Sequence, residues 1–95
     1  MNPNISIVWR EEPDQYILTL NADAYARRVG IEFEHIDVIL SDNYFDLIPH
    51  SDKTIYLKKE DIYNQGIWRN ETIPWIGLDE LQKQLKLYSN YHSIH

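Results

Sequence analysis

Ninety-five residues make one small domain, with material for a single core and no second one. Fifteen acidic against nine basic side chains leave a net charge of −6, which disfavours nucleic acid and anionic membrane as partners, because both attract basic surfaces. With no cysteine to form a disulfide, packing alone must hold the fold. Uninterrupted apolar runs reach three residues, far short of the roughly 20 that a membrane helix needs. The amino terminus also lacks the basic-then-apolar pattern of a signal peptide, so the expectation is a soluble protein, with the compartment left open and a cytoplasmic one favoured.

Period-two patterning dominates the first two thirds of the chain. Ile5, Ile7 and Trp9 alternate with Ser6 and Arg10 and predict a first strand, closed by the charged, proline-marked turn Glu11-Glu12-Pro13-Asp14. Tyr16, Leu18 and Leu20 alternate with Thr19 and Asn21 in a second strand, after which Ala22 to Arg28 predicts a short turn or bulge across a sheet edge. Val29, Ile31 and Phe33 alternate with Gly30, Glu32 and Glu34, the apolar-in, polar-out order of an antiparallel strand. Ile36, Val38 and Leu40 repeat it. Next comes a polar corner, Ser41-Asp42-Asn43-Tyr44-Phe45-Asp46-Leu47-Ile48-Pro49. Asp42 and Asn43 suit a turn and tolerate a left-handed backbone; Tyr44, Phe45, Leu47 and Ile48 supply apolar area for a sandwich end, and Pro49 blocks further pairing. Thr54-Ile55-Tyr56-Leu57 predicts a final strand. Five or six short strands at about ten-residue spacing argue for a β-sandwich, with Leu18, Leu20, Val29, Ile31, Phe33, Val38, Leu40, Phe45, Ile55 and Leu57 in its core.

Beyond Lys59 the pattern changes. Residues 61–72 hold no sustained period and predict a loop with at most a short strand at Ile67-Trp68. Leu78, Leu81, Leu85 and Tyr88 fall on one helical face, and Asp79 and Glu80 precede Lys83 and Lys86 in the order the helix dipole favours, which predicts an amphipathic helix over 78–89. Tyr88 to His95 reads as a frayed end. The predicted organisation is therefore a sandwich core over 1–59 and an extension over 60–95, loop then helix, within one domain.

The corner, its proline and the strand after it resemble the carboxy-terminal immunoglobulin-like domain of glycoside hydrolase family 2 β-mannosidases. The similarity reaches upstream through Leu18-Thr19-Leu20-Asn21-Ala22-Asp23 and Ala26-Arg27-Arg28-Val29 and spans about half the chain. It implies an all-β, immunoglobulin-like fold and a parent enzyme that removes β-mannosyl residues with two glutamates of a catalytic barrel. A (β/α)₈ barrel needs about 250 residues, and no position here matches its motifs. The implied role is that of a non-catalytic last domain packed on the remaining domains of its parent hydrolase. One departure concerns the turn after the proline, where the family's glycine is replaced by His50-Ser51-Asp52.

Candidate chemistry is sparse. Glu32, Glu34 and Asp37 are near in sequence, but alternation places both glutamates on an outward, solvated strand face, unlike the paired carboxylates of a glycosidase cleft. His92 and His95 offer two imidazoles at a metal-compatible spacing without a third ligand. Asp42 and Asp46 suit a calcium-binding loop end, yet turn formation accounts for both. No catalytic residue, cofactor or metal site is assigned. Three tryptophans and seven tyrosines are many for this length. Trp9 belongs to the core face of its strand, while Trp68 and Trp75 are the candidates for interdomain or oligosaccharide contact. Alternatives to the accessory role are a carbohydrate-binding module and a free-standing protein-interaction domain.

Overall fold

The computed structural model describes residues 4–64, 76–89 and 92–93. In chain order these hold β1 (Ile5–Glu11), β2 (Gln15–Ala22), β3 (Ala26–Phe33), β4 (Ile36–Leu40), β5 (Phe45–Leu47), β6 (Lys53–Asn64), α1 (Leu78–Gln84), β7 (Leu85–Ser89) and β8 (His92–Ser93). Two four-stranded sheets result, ordered β1-β2-β6-β4 and β5-β3-β7-β8, with each pairing antiparallel. The expected all-β sandwich with a short carboxy-terminal helix is what the chain adopts.

Alternation decides the core because successive strand residues face opposite sides. Leu18 and Leu20 from the first sheet meet Val29, Ile31 and Phe33 from the second, and Ile55, Leu57 and Phe45 complete the layer, all buried. Val38 and Leu40, expected inside, are half-buried, as befits β4 at the sheet's edge. Trp9 is likewise half-buried on edge strand β1, packed against the core from the side.

The expected turn or bulge before Val29 lies at Arg28, whose φ is 54° where the register of β3 against β5 shifts. The strand expected to be final, from Thr54, is instead the middle of the first sheet and runs on to Asn64, so residues 61–64 are strand and not loop. Its register against β4 jumps between Leu57 and Ile62. A bulge of this kind resets the inward phase, which erases the two-residue period that sequence patterning depends on.

The second correction concerns the helix predicted over 78–89. It ends at Gln84, and Leu85 turns into extended backbone at φ −64°, ψ 133°. Leu85 to Tyr88 then pairs with β3 from Phe33 to Gly30. Without this strand the backbone polar groups on that edge of β3 would have no ladder partner, a cost that outweighs one further turn of short helix. Leu87, opposite Ile31, is fully buried. The helix still docks in cis: Leu81 is buried in the sandwich core, with Leu78 packed against it. Gln84 locks the arrangement, its Oε1 accepting from His35 N at 3.1 Å and its backbone oxygen from Glu34 N at 3.1 Å. At the other end of α1, the buried Tyr16 hydroxyl donates to Ile76 O at 3.2 Å, and burial raises the Tyr16 pKa.

Candidate functional site

The corner from Ser41 to Pro49 works as a set of clamps on backbone that the sheets leave unpaired. Ser41 extends the β4–β6 ladder: its N–H donates to Tyr56 O at 3.0 Å, and its Oγ accepts from Tyr56 N at 2.9 Å. Asn43 then stands in for a missing strand residue beside β3. Its Oδ1 accepts from Ile31 N at 2.8 Å and its Nδ2 donates to Ile31 O at 3.0 Å, while Oδ1 also accepts from Tyr44 N at 2.9 Å. A carboxamide is the side chain that offers donor and acceptor together in this way. Asp46 holds the β3 bulge, with Oδ1 accepting from Arg28 N at 3.0 Å and Oδ2 from the Tyr25 hydroxyl at 2.9 Å.

Those contacts shift the titrating groups. The bond from Arg28 N, followed by that from Tyr25, lowers the Asp46 pKa, and Asp46 in turn raises that of Tyr25. Asp42 is lowered chiefly by Lys53, whose Nζ lies 2.8 Å away, and then by Asn43 N. Asp42 and Asp46 thus serve different partners instead of converging on a cation. Among the described residues, no three histidine, cysteine, aspartate or glutamate side chains group as a metal site. His92 is described only as backbone in β8, and His95 lies outside the described residues.

Tyr44 departs from the expected role of covering the sandwich end. It is 61% exposed and takes φ 56°, so the left-handed residue of the corner is the tyrosine and neither Asp42 nor Asn43. Its ring lies over Gly30 on the outer face of the second sheet, and a Cβ at Gly30 would stand 2.7 Å from Tyr44 Cε1. Ile48 is also exposed; Phe45 and Leu47 carry the inward apolar contribution. After them Pro49 and His50 form a turn closed by Ser51 N donating to Ile48 O at 3.1 Å. His50 takes φ 60° there, the left-handed geometry for which glycine is favoured.

Around Tyr44 lies a groove of about 460 Å³ lined by Arg28, Glu32, Tyr44 and Tyr88. A second depression of about 340 Å³ adjoins it and shares Glu32 and Tyr44. Tyr88 belongs to this face because β7 places it opposite Gly30, with Lys86 opposite Glu32. Sequence patterning assigned Tyr88 to a helical stripe and so missed the juxtaposition; the available signal was Gly30, since a glycine inside a strand marks close approach of another group. Glu32 and Glu34 face outward and are exposed, as expected. Glu32 and the half-buried Asp37 border the second depression together. Trp68 and Trp75 lie outside the described residues.

Fold and corner together define a small immunoglobulin-fold sandwich domain, held by packing and by side-chain clamps on its sheet edges. Residues 1–93 match the profile of the Ig_mannosidase family, an Ig-fold domain, and the chain belongs to that family. The match bears out the likeness to the immunoglobulin-like domain of mannosidase-type glycoside hydrolases and carries it through residues 60–93, which the corner motif left unaddressed. No curated protein matches the chain.

Proposed function

We propose that this chain is a non-catalytic accessory domain of a mannosidase-type glycoside hydrolase, packing through the outer face of its first sheet against the enzyme's remaining domains. One observation carries the reading. The outer face of a sandwich sheet is ordinarily polar, whereas here Val8, Ile39 and Tyr56 are 66%, 56% and 45% exposed. They belong to strands β1, β4 and β6 of the same sheet. Ile17, opposite Tyr56 on this sheet, is buried and stands apart from the core cluster. Exposed apolar side chains on three strands of one sheet are the mark of a surface meant to be covered. The family membership supplies the kind of neighbour that would cover it.

The test compares two lengths of protein, the 95-residue chain and the gene product containing it at natural length, each with and without Val8→Lys and Ile39→Lys. The short chain should melt unchanged and release no sugar from an aryl β-mannoside. The natural-length enzyme should hydrolyse the mannoside and lose thermal stability on substitution. A natural product ending at these 95 residues, an unchanged melt of the longer protein, or turnover by the short chain that disappears with Glu32→Gln would each overturn the proposal.

A further inference from the structure

We infer that the groove over Gly30, on the sheet opposite those exposed apolar side chains, is a saccharide-binding site with Tyr44 as its stacking platform. The inference begins with backbone strain. Among the described residues, three other than glycine adopt positive φ, namely Arg28, Tyr44 and His50, and the first two line this groove. Left-handed geometry is costly for residues of this size and persists where surrounding bonds enforce it, often at binding sites. Here the enforcing bonds are Asp46 on Arg28 N and Asn43 on Tyr44 N. The result is a phenol ring held close over a glycine backbone, on a residue that is largely exposed.

The lining selects the ligand class. Tyr44 and Tyr88 offer aromatic surface, and a pyranose presents a flat patch of C–H groups suited to stacking on it. The tyrosine hydroxyls can donate and accept, and Arg28 and Glu32 add groups of opposite charge to the lining. Their charges cancel, which favours neither an anionic nor a cationic ligand and points to a neutral polyhydroxylated one. At about 460 Å³ the groove has the size of a small-ligand cleft. The adjoining depression, sharing Tyr44 and Glu32, continues it past the platform, so the site would take an oligosaccharide with sugar rings on either side of Tyr44.

The experiment is an amide chemical-shift titration of the 95-residue chain with β-1,4-mannohexaose and, separately, with cellohexaose. The expected result is saturable shifts at Gly30, Glu32, Tyr44 and Tyr88 with at least one of the two, at concentrations of about 0.1–10 mM, as befits a shallow site. Tyr44→Asn removes the ring while keeping a residue that tolerates left-handed backbone, and Glu32→Gln leaves an exposed position uncharged. Each should weaken binding about tenfold or more while the other amide positions stay those of the folded wild type. Shifts with neither sugar, shifts centred elsewhere, or affinity unchanged in both variants would overturn the site. Because Val8→Lys and Ile39→Lys lie on the other sheet, they should leave the titration unaltered, so failure here and failure of interdomain packing are told apart.

Discussion

Asn43→Ala is the substitution that most directly tests the corner as a backbone clamp. It removes three hydrogen bonds, two to Ile31 and one to Tyr44 N. Tyr44 is exposed, so water can replace its partner at little cost. Ile31 is 2% exposed, and its N–H and C=O face the loss of paired bonds worth about 0.5–1.5 kcal/mol each, rising to about 1–3 kcal/mol where no water enters. The sum is about 2–4 kcal/mol, a large part of the roughly 5–15 kcal/mol expected for a domain. Urea denaturation reads it: with a slope of about 1–3 kcal/mol per molar, the midpoint should fall by about 1–3 M at unchanged slope. Asn43→Asp sharpens the case, because a carboxylate keeps both acceptor bonds but sets an anionic oxygen against Ile31 O. It should destabilise at neutral pH and recover in part in acid, where the protonated carboxyl can donate. A midpoint for Asn43→Ala within about 0.5 kcal/mol of wild type, the range of an ordinary surface change, would refute the clamp.

Four further outcomes are expected. Phe45→Ala, which empties a buried position beneath the corner, should cost about 3–5 kcal/mol in a urea melt. His50→Gly should stabilise by about 0.5–1 kcal/mol in the same assay, since it relieves a φ of 60° at a smaller cost in unfolded-chain entropy. Asp23, Asp42 and Asp46 all have lowered pKa values through bonds from Asn4, Lys53 and Arg28 respectively. Their contribution is therefore complete above the unfolded carboxylate value of about 3.9 and is lost as pH falls through the lowered folded values; the melting temperature should drop over that window, and less steeply in Asp46→Asn. Leu81→Asp, at a fully buried core position of α1, should unfold or severely destabilise the domain. Light scattering that instead found a dimer breaking into folded monomers would contradict docking in cis.

Much of this domain was legible in its residues. Alternation in β1, β2, β3 and β4 set which side chains face inward, because a strand's two-residue period is local and a core of one sign enforces it. The corner motif pointed to the family by its order of residues alone. Tertiary structure decided what local pattern leaves open. Leu85 to Ser89 is compatible with either a helix face or a strand, and the unpaired edge of β3 chose the strand. The bulge in β6 hid four strand residues by changing phase, a feature that exists only relative to β4. The groove has the same origin: Arg28, Gly30, Tyr44 and Tyr88 are scattered in sequence, and they form one surface because β5 and β7 flank β3 on opposite sides, which brings a corner residue over Gly30 and sets a strand residue opposite it. Sequence fixes the period of each segment; which segments pair, and so which distant side chains meet, follows from satisfying every sheet edge at once.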